Sequence, residues 1–165
     1  AGASLCGGKA YALLEKFFRE FVKEATGQEK PLYKTLEKLA GDGKASCTGR
    51  ENRKKLQIET TFDGTRVHPE QTGSITNLST DNFTPAAFVY GTLEGMSREL
   101  YQMYQTIQNG TGMQIKRMIG SGNGLRKNPV LCGIVEEMFG AKLALAECEE
   151  EAATGAALSS MQQDE

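Results

Sequence analysis

Met118-Ile119-Gly120-Ser121-Gly122-Asn123-Gly124-Leu125-Arg126-Lys127-Asn128-Pro129 is the stretch from which the fold is read. An apolar run from Ile115 to Ile119, broken by Lys116 and Arg117, predicts a short buried strand. Glycines at alternate positions follow, and Asn128-Pro129 then pairs an N-cap side chain with the residue best tolerated at the first helical position. The order is strand, Gly-rich turn, helix. Glycine permits positive φ and lets a ligand approach without a Cβ in the way, while unpaired N–H groups at a helix start favour an anion. The same pattern also describes an ordinary strand-to-helix connection, so the loop alone leaves both readings open.

Outward from that loop, the C-terminal side continues in α/β order. Val130, Leu131, Ile134, Val135, Met138 and Phe139 repeat at helical spacing up to Gly140, and Leu143 to Leu145 predict another short strand. Glu147, Glu149, Glu150 and Glu151 precede the small residues Ala152 to Leu158, as acids do at the start of a helix. Upstream, Thr84-Pro85 opens the longest helix, with Val89, Leu93, Met96, Leu100 and Ile107 on one face. Gly91, Gly95 and Glu99 share another face. An interior glycine costs about 1 kcal/mol of helix stability relative to alanine, so two on one face predict close approach by another backbone or by a flat ligand.

The small, Gly-rich segment Ala1 to Lys9 leads into a predicted helix with Leu13, Leu14, Phe17, Phe18, Phe21 and Val22 at helical spacing. A shorter helix follows Pro31 and is expected to stop at Gly41-Asp42-Gly43, with a polar loop from Lys44 to Lys55. Leu56, Ile58, Thr60 and Phe62 alternate with polar residues and predict a half-buried strand, turned by Asp63-Gly64. Ser74 to Leu78 predicts its antiparallel partner. These elements argue for one α/β domain of 165 residues around one core, with a mixed sheet.

Charge and composition exclude several functions. A net charge of -2 and a pI near 5.6 leave no basic face for nucleic acid. No apolar run approaches the length of a membrane span and no signal peptide is legible, so a cytoplasmic location is expected. Cys6, Cys47, Cys132 and Cys148 are too dispersed for a zinc site and are read as reduced structural thiols. Gly7-Gly8-Lys9 fails as a P-loop, because the lysine comes one residue late and Ala10 stands where the magnesium-binding hydroxyl belongs. The abrupt start, with no methionine, is read as a piece of something longer.

Chemistry-bearing residues are few. His68 is the single histidine and is assigned a loop role. Asp63, at a strand end before glycine, is better placed for chemistry than the Glu147 to Glu151 cluster, although aspartate is also a common turn residue. A dinucleotide fingerprint is only partial: Leu125 occupies the third glycine position, while Glu147 falls where a ribose-binding acid belongs.

The order Phe62-Asp63-Gly64-Thr65-Arg66-Val67-His68-Pro69-Glu70-Gln71, Thr92-Leu93-Glu94-Gly95, Gly120-Ser121-Gly122 to Asn128, and Glu151 to Leu158 with Thr154-Gly155-Ala156-Ala157 resembles the C-terminal domain of the FGGY carbohydrate kinases. The resemblance covers residues 1–165, and the Gly-Ser-Gly loop with its spacer to Asn128 is most similar to the sedoheptulose kinases. It implies a ribonuclease H-like, actin-like ATPase domain that uses ATP and Mg2+ to phosphorylate a sugar. It also implies an N-terminal sugar-binding domain outside this chain, supplying the catalytic aspartate and the magnesium ligands.

By the same resemblance Gly95 and Glu99 line the adenine pocket, Gly120, Ser121 and Gly122 form the loop that passes the nucleotide, and Asn128 closes on the adenine. Asp63, Gly64 and Arg66 fall in the loop facing the interdomain cleft, where Thr65 replaces the family's usual glutamate. No catalytic residue or metal ligand is expected within the chain, and an oligomer is left open. Two other readings stand beside the kinase: a non-catalytic nucleotide-binding module and a dinucleotide-binding oxidoreductase fragment.

Overall fold

The computed structural model describes residues 7–48 and 54–146. The acidic cluster from Glu147, the small-residue helix expected over Ala152 to Leu158, Cys6 and Cys148 lie outside the described residues. The chain divides after Met113 into two units, where the sequence predicts one core.

The first unit contains α1 (Gly7–Thr26), α2 (Tyr33–Thr48), β1 (Gln57–Glu59), β2 (Ser74–Thr76) and α3 (Pro85–Thr111). Strands β1 and β2 pair antiparallel with Ile58 opposite Ile75, as the alternation predicts. Helix α3 begins where expected: the Thr84 hydroxyl accepts the Ala87 N–H at 3.2 Å and Pro85 follows. It ends at Gly112, whose left-handed φ of 68° turns its N–H back to the Gln108 carbonyl. Its first half is the centre of the unit, with Ala87, Val89, Tyr90, Leu93, Ser97 and Glu99 all buried. Leu36, Leu56 and Leu93 are nearly inaccessible, and each such burial contributes about 1.5–3 kcal/mol.

One expectation fails here for a physical reason. Helix α2 runs through Gly41-Asp42-Gly43 to Thr48. Gly43 is where α2 meets α3: a Cβ there would lie 2.5 Å from the Ala86 carbonyl oxygen and closer still to Tyr90 Cβ. Tertiary contact therefore overrides the glycine stop signal. In α1 the stripe Leu13, Phe17 and Phe21 remains exposed within this unit, and the buried positions are Ala10 and Glu15. Glu15 is satisfied by the Leu32 N–H at 3.0 Å and by Arg19 at 3.3 Å, which tie the α1–α2 connection to the helix.

The second unit contains β3 (Met118–Gly120), α4 (Asn123–Arg126), α5 (Pro129–Phe139) and β4 (Leu143–Leu145). Strands β3 and β4 are parallel, joined by the two helices as a βαβ crossover requires. Strand β3 starts later than the apolar run that announces it, because pairing with β4 begins at Met118. Leu131, Ile134 and Val135 form its buried helix face. In place of one mixed sheet, the described residues hold an antiparallel pair and a parallel pair. Among them no helix is long and apolar enough to cross a membrane.

The neighbouring glycines of α2 give an opposed pair of predictions. Gly43→Ala should destabilise the chain by about 1–3 kcal/mol through overpacking against α3. Gly41→Ala, which meets nothing within 4 Å, should be neutral or stabilising by up to about 1 kcal/mol. Urea unfolding of both variants checks this; equal effects would refute the packing role of Gly43.

Candidate functional site

Of the expected site residues, Asp63, Gly64, Arg66, Gly95 and Glu99 belong to the first unit, and Gly120, Ser121, Gly122 and Asn128 to the second. Each group has its own geometry.

In the first unit the face of α3 carrying Gly91 and Gly95 is turned to β1. A Cβ on Gly91 would lie 3.2 Å from Ile58 Cδ1, and one on Gly95 would run into the Ile58 carbonyl oxygen. The close approach predicted from these glycines is thus made by a backbone of the chain itself. Gly95 offers no open surface on that side. Glu99, on the same stripe one turn later, is buried.

The segment from Thr61 to Gln71 is a loop closed on itself. Gly64 has φ +73° and packs against the Pro69 carbonyl group, so both conformation and space require glycine. The Gly64 N–H donates to the Thr61 carbonyl at 3.0 Å, and the Thr65 and Gln71 N–H groups both donate to the His68 carbonyl. The His68 N–H in turn donates to the Thr65 hydroxyl at 2.9 Å. The backbone of His68 therefore organises the loop, and its exposed ring stands 3.4 Å from Glu70. Arg66 and Val67 are exposed at the tip. Both carboxylate oxygens of Asp63 accept from Lys9 Nζ, at 2.9 and 2.7 Å. Sequence reasoning had no means of pairing residues 54 positions apart.

Beside this loop lies an apolar groove of about 490 Å³, lined by Leu13, Phe17, Ile58, Phe62, Ile75 and Phe88 among others. Its described lining residues carry no charged side chain.

The second unit shows what each glycine of the loop does. Gly120 is buried in β3, where a Cβ would meet Leu125 Cδ1 at 2.7 Å and Leu143 Cδ1 at 3.0 Å. Leu125, the residue at the third fingerprint position, is accordingly a hydrophobic plug over the strand end. Gly122 adopts φ 90°, ψ 157°, a combination available essentially to glycine alone, and faces open space. Ser121 is exposed beside it. No side chain caps α4, which begins after Gly122.

The start of α5 is different. Asn128 is buried and its side-chain oxygen accepts the Leu131 N–H at 3.0 Å, Pro129 has no N–H, and the Cys132 N–H donates to the Asn128 carbonyl. The anion site expected from free N–H groups at this helix start is thereby largely consumed by the protein, and the open backbone lies earlier, at Ser121 to Gly124.

Cys47 and Cys132 are free, and their thiols donate to the Ala87 and Leu125 carbonyls. Burial pushes the Cys47 thiol up to about 11, and burial with the nearby Glu136 carboxylate raises Cys132. Among the described residues no group of three His, Cys, Asp or Glu side chains is placed to hold a metal.

Asn128→Ala should cost about 1 kcal/mol by uncapping α5, and Asn128→Asp should retain most of the stability. Thermal unfolding of both variants tests the assignment, and equal losses would contradict it. A rise from the ordinary value of 9.0 to about 11 lowers the thiolate fraction of Cys47 at pH 8 roughly 100-fold. Iodoacetamide should therefore label Cys47 far more slowly in the native chain than in urea, and comparable rates would contradict the burial.

The profile of the FGGY family of carbohydrate kinases, C-terminal domain, matches residues 2–162. No curated protein sequence matches. Solved structures that match include the xylulose kinase from Rhodospirillum rubrum, with 22% identity, a TM-score of 0.66, and coverage of 84% of this chain and 25% of that one. The xylulose kinase from Bifidobacterium adolescentis matches at 19% identity and TM-score 0.64, covering 86% of this chain and 25% of that one. Plasmodium falciparum glycerol kinase with ADP matches at 16% identity and TM-score 0.63, covering 84% and 26%. The chain thus spans about a quarter of the length of these structures. With the profile extending over nearly every residue, the chain belongs to the FGGY family of carbohydrate kinases and has the ribonuclease H-like fold of that family's C-terminal domain.

Proposed function

We propose that the chain, residues 1–165, is the nucleotide-binding half of an ATP-dependent sugar kinase that transfers the γ-phosphoryl of ATP to a hydroxyl of sedoheptulose or a related ketose or polyol. Family membership supports the phosphotransferase class. The sedoheptulose reading rests on the Gly-Ser-Gly loop and its spacer to Asn128.

The single observation that carries the nucleotide role is the backbone at Gly122: glycine-only φ and ψ, open space on the Cβ side, and no side chain capping the turn that follows. Such a turn accepts a ligand against its main chain. Gly120, Ser121 and Gly122 are assigned to the passage of the nucleotide and Asn128 to the adenine side, where its cap bond to Leu131 holds the side chain in one orientation. Gly95 serves the nucleotide indirectly, by letting α3 settle on β1, and Glu99 is assigned to the adenine side of α3. Asp63, Gly64 and Arg66 belong to a loop assigned to the cleft and the acceptor sugar.

Phosphoryl transfer is mostly positioning and charge neutralisation. A catalytic base and the ligands for Mg2+ are assigned to an N-terminal sugar-binding domain. The working location is cytoplasmic.

The isolated chain should therefore form no ADP above a blank with ATP, Mg2+ and sedoheptulose, as followed by a coupled ADP assay; clear turnover would overturn the division of labour. In the kinase-length protein, Gly122→Leu should raise the KM for ATP roughly tenfold, about 1.4 kcal/mol, and leave that for the sugar nearly unchanged. Equal loss of both would argue against this placement of the loop.

A further inference from the structure

We propose that Lys9 is a positioning residue for the acceptor-side loop, holding Asp63 so that Arg66 is presented in one orientation. The inference rests on assigning the loop around Arg66 to the cleft. The hydrogen bonds inside the loop link Gly64 to Thr61, Thr65 to His68 and Gln71 to His68, and the Thr61 hydroxyl donates to the Thr72 carbonyl at 3.4 Å across its base. They set the shape of the loop and join its two ends, and none of them ties it to a helix. The Lys9 ammonium instead comes from the first turn of α1 and binds both oxygens of Asp63, at 2.9 and 2.7 Å, at the loop's N-terminal shoulder. Three positions later comes the exposed Arg66.

A role in stability explains the pair poorly. Its side chains are 56% and 39% exposed, and such pairs contribute little to folding. A lysine in a first helical turn also sits at the end where the helix dipole disfavours a cation, and α1 has no acidic residue of its own there. Asp63 supplies that missing charge from the loop. The same contact occupies Asp63 on both oxygens, so the carboxylate acts as an anchor for the loop and not as a free base.

The test uses the kinase-length protein with KM for acceptor, KM for ATP and kcat measured separately. Arg66→Ala reports on the loop assignment and should raise the acceptor KM roughly tenfold, the loss of one charged contact to substrate. Lys9→Met and Asp63→Asn should each raise it roughly two- to fivefold, the range open to an exposed ion pair, with the KM for ATP unchanged. The double variant should be no worse than either single one, and Lys9→Arg should restore wild-type values.

In the 165-residue chain, amide exchange at Thr65 and His68 should quicken by a similar factor in Lys9→Met and stay unchanged in Lys38→Met. This second readout covers a kinase variant that fails to fold. If Arg66→Ala raises the acceptor KM while Lys9→Met and Asp63→Asn do not, the positioning role is overturned and the loop assignment stands. If Arg66→Ala leaves the acceptor KM unchanged, the loop assignment fails and the inference falls with it. Unchanged exchange in Lys9→Met, or additive losses in the double variant, would overturn the inference directly.

Discussion

The first unit depends on how closely α3 can approach its neighbours. At Gly95 the helix meets the carbonyl of Ile58 in β1, and at Gly43 of α2 the backbone of α3 is met from another direction at Ala86. Neither approach leaves room for a Cβ. Close-packed interiors do not stretch to admit one, so these glycines determine where α3 lies and with it the position of β1 and of the loop that follows. The helix propensity lost at each glycine is offset by burial of Leu36, Leu56, Val89 and Leu93 around the same contacts.

The second unit assigns different tasks to residues that look alike in the sequence. Gly120 is small because Leu125 and Leu143 close over it, whereas Gly122 is glycine because of its backbone angles. Asn128, near the end of the motif, is committed to capping α5. The stretch divides into a packed strand end, an open turn and a sealed helix start. Of the three, the turn at Gly122 is the part with open space beside its main chain and no side-chain cap.

The helix starts were legible by residue type. Thr84-Pro85 and Asn128-Pro129 announced their helices because capping is a local interaction between residues three apart. The glycines of α3 announced a close contact, but whether a backbone or a ligand made it was undetermined, because a missing side chain does not say what fills its place. Lys9 read as a failed P-loop lysine. Its partner Asp63 lies 54 residues away, and no periodicity connects the two.

Element types, caps, turns and the family motifs were determined by the sequence itself, since each depends on hydrogen bonds or periodicities within a few residues. Tertiary structure decided what depends on neighbours distant in the chain. It carried α2 through Gly41 and Gly43, set the start of β3 by pairing with β4, and left Leu13, Phe17 and Phe21 of α1 exposed in their unit. It also turned Gly95 toward β1. The physical reason is common to all of these: local patterns show which surfaces need to be buried, and only the assembled chain determines which partner buries them.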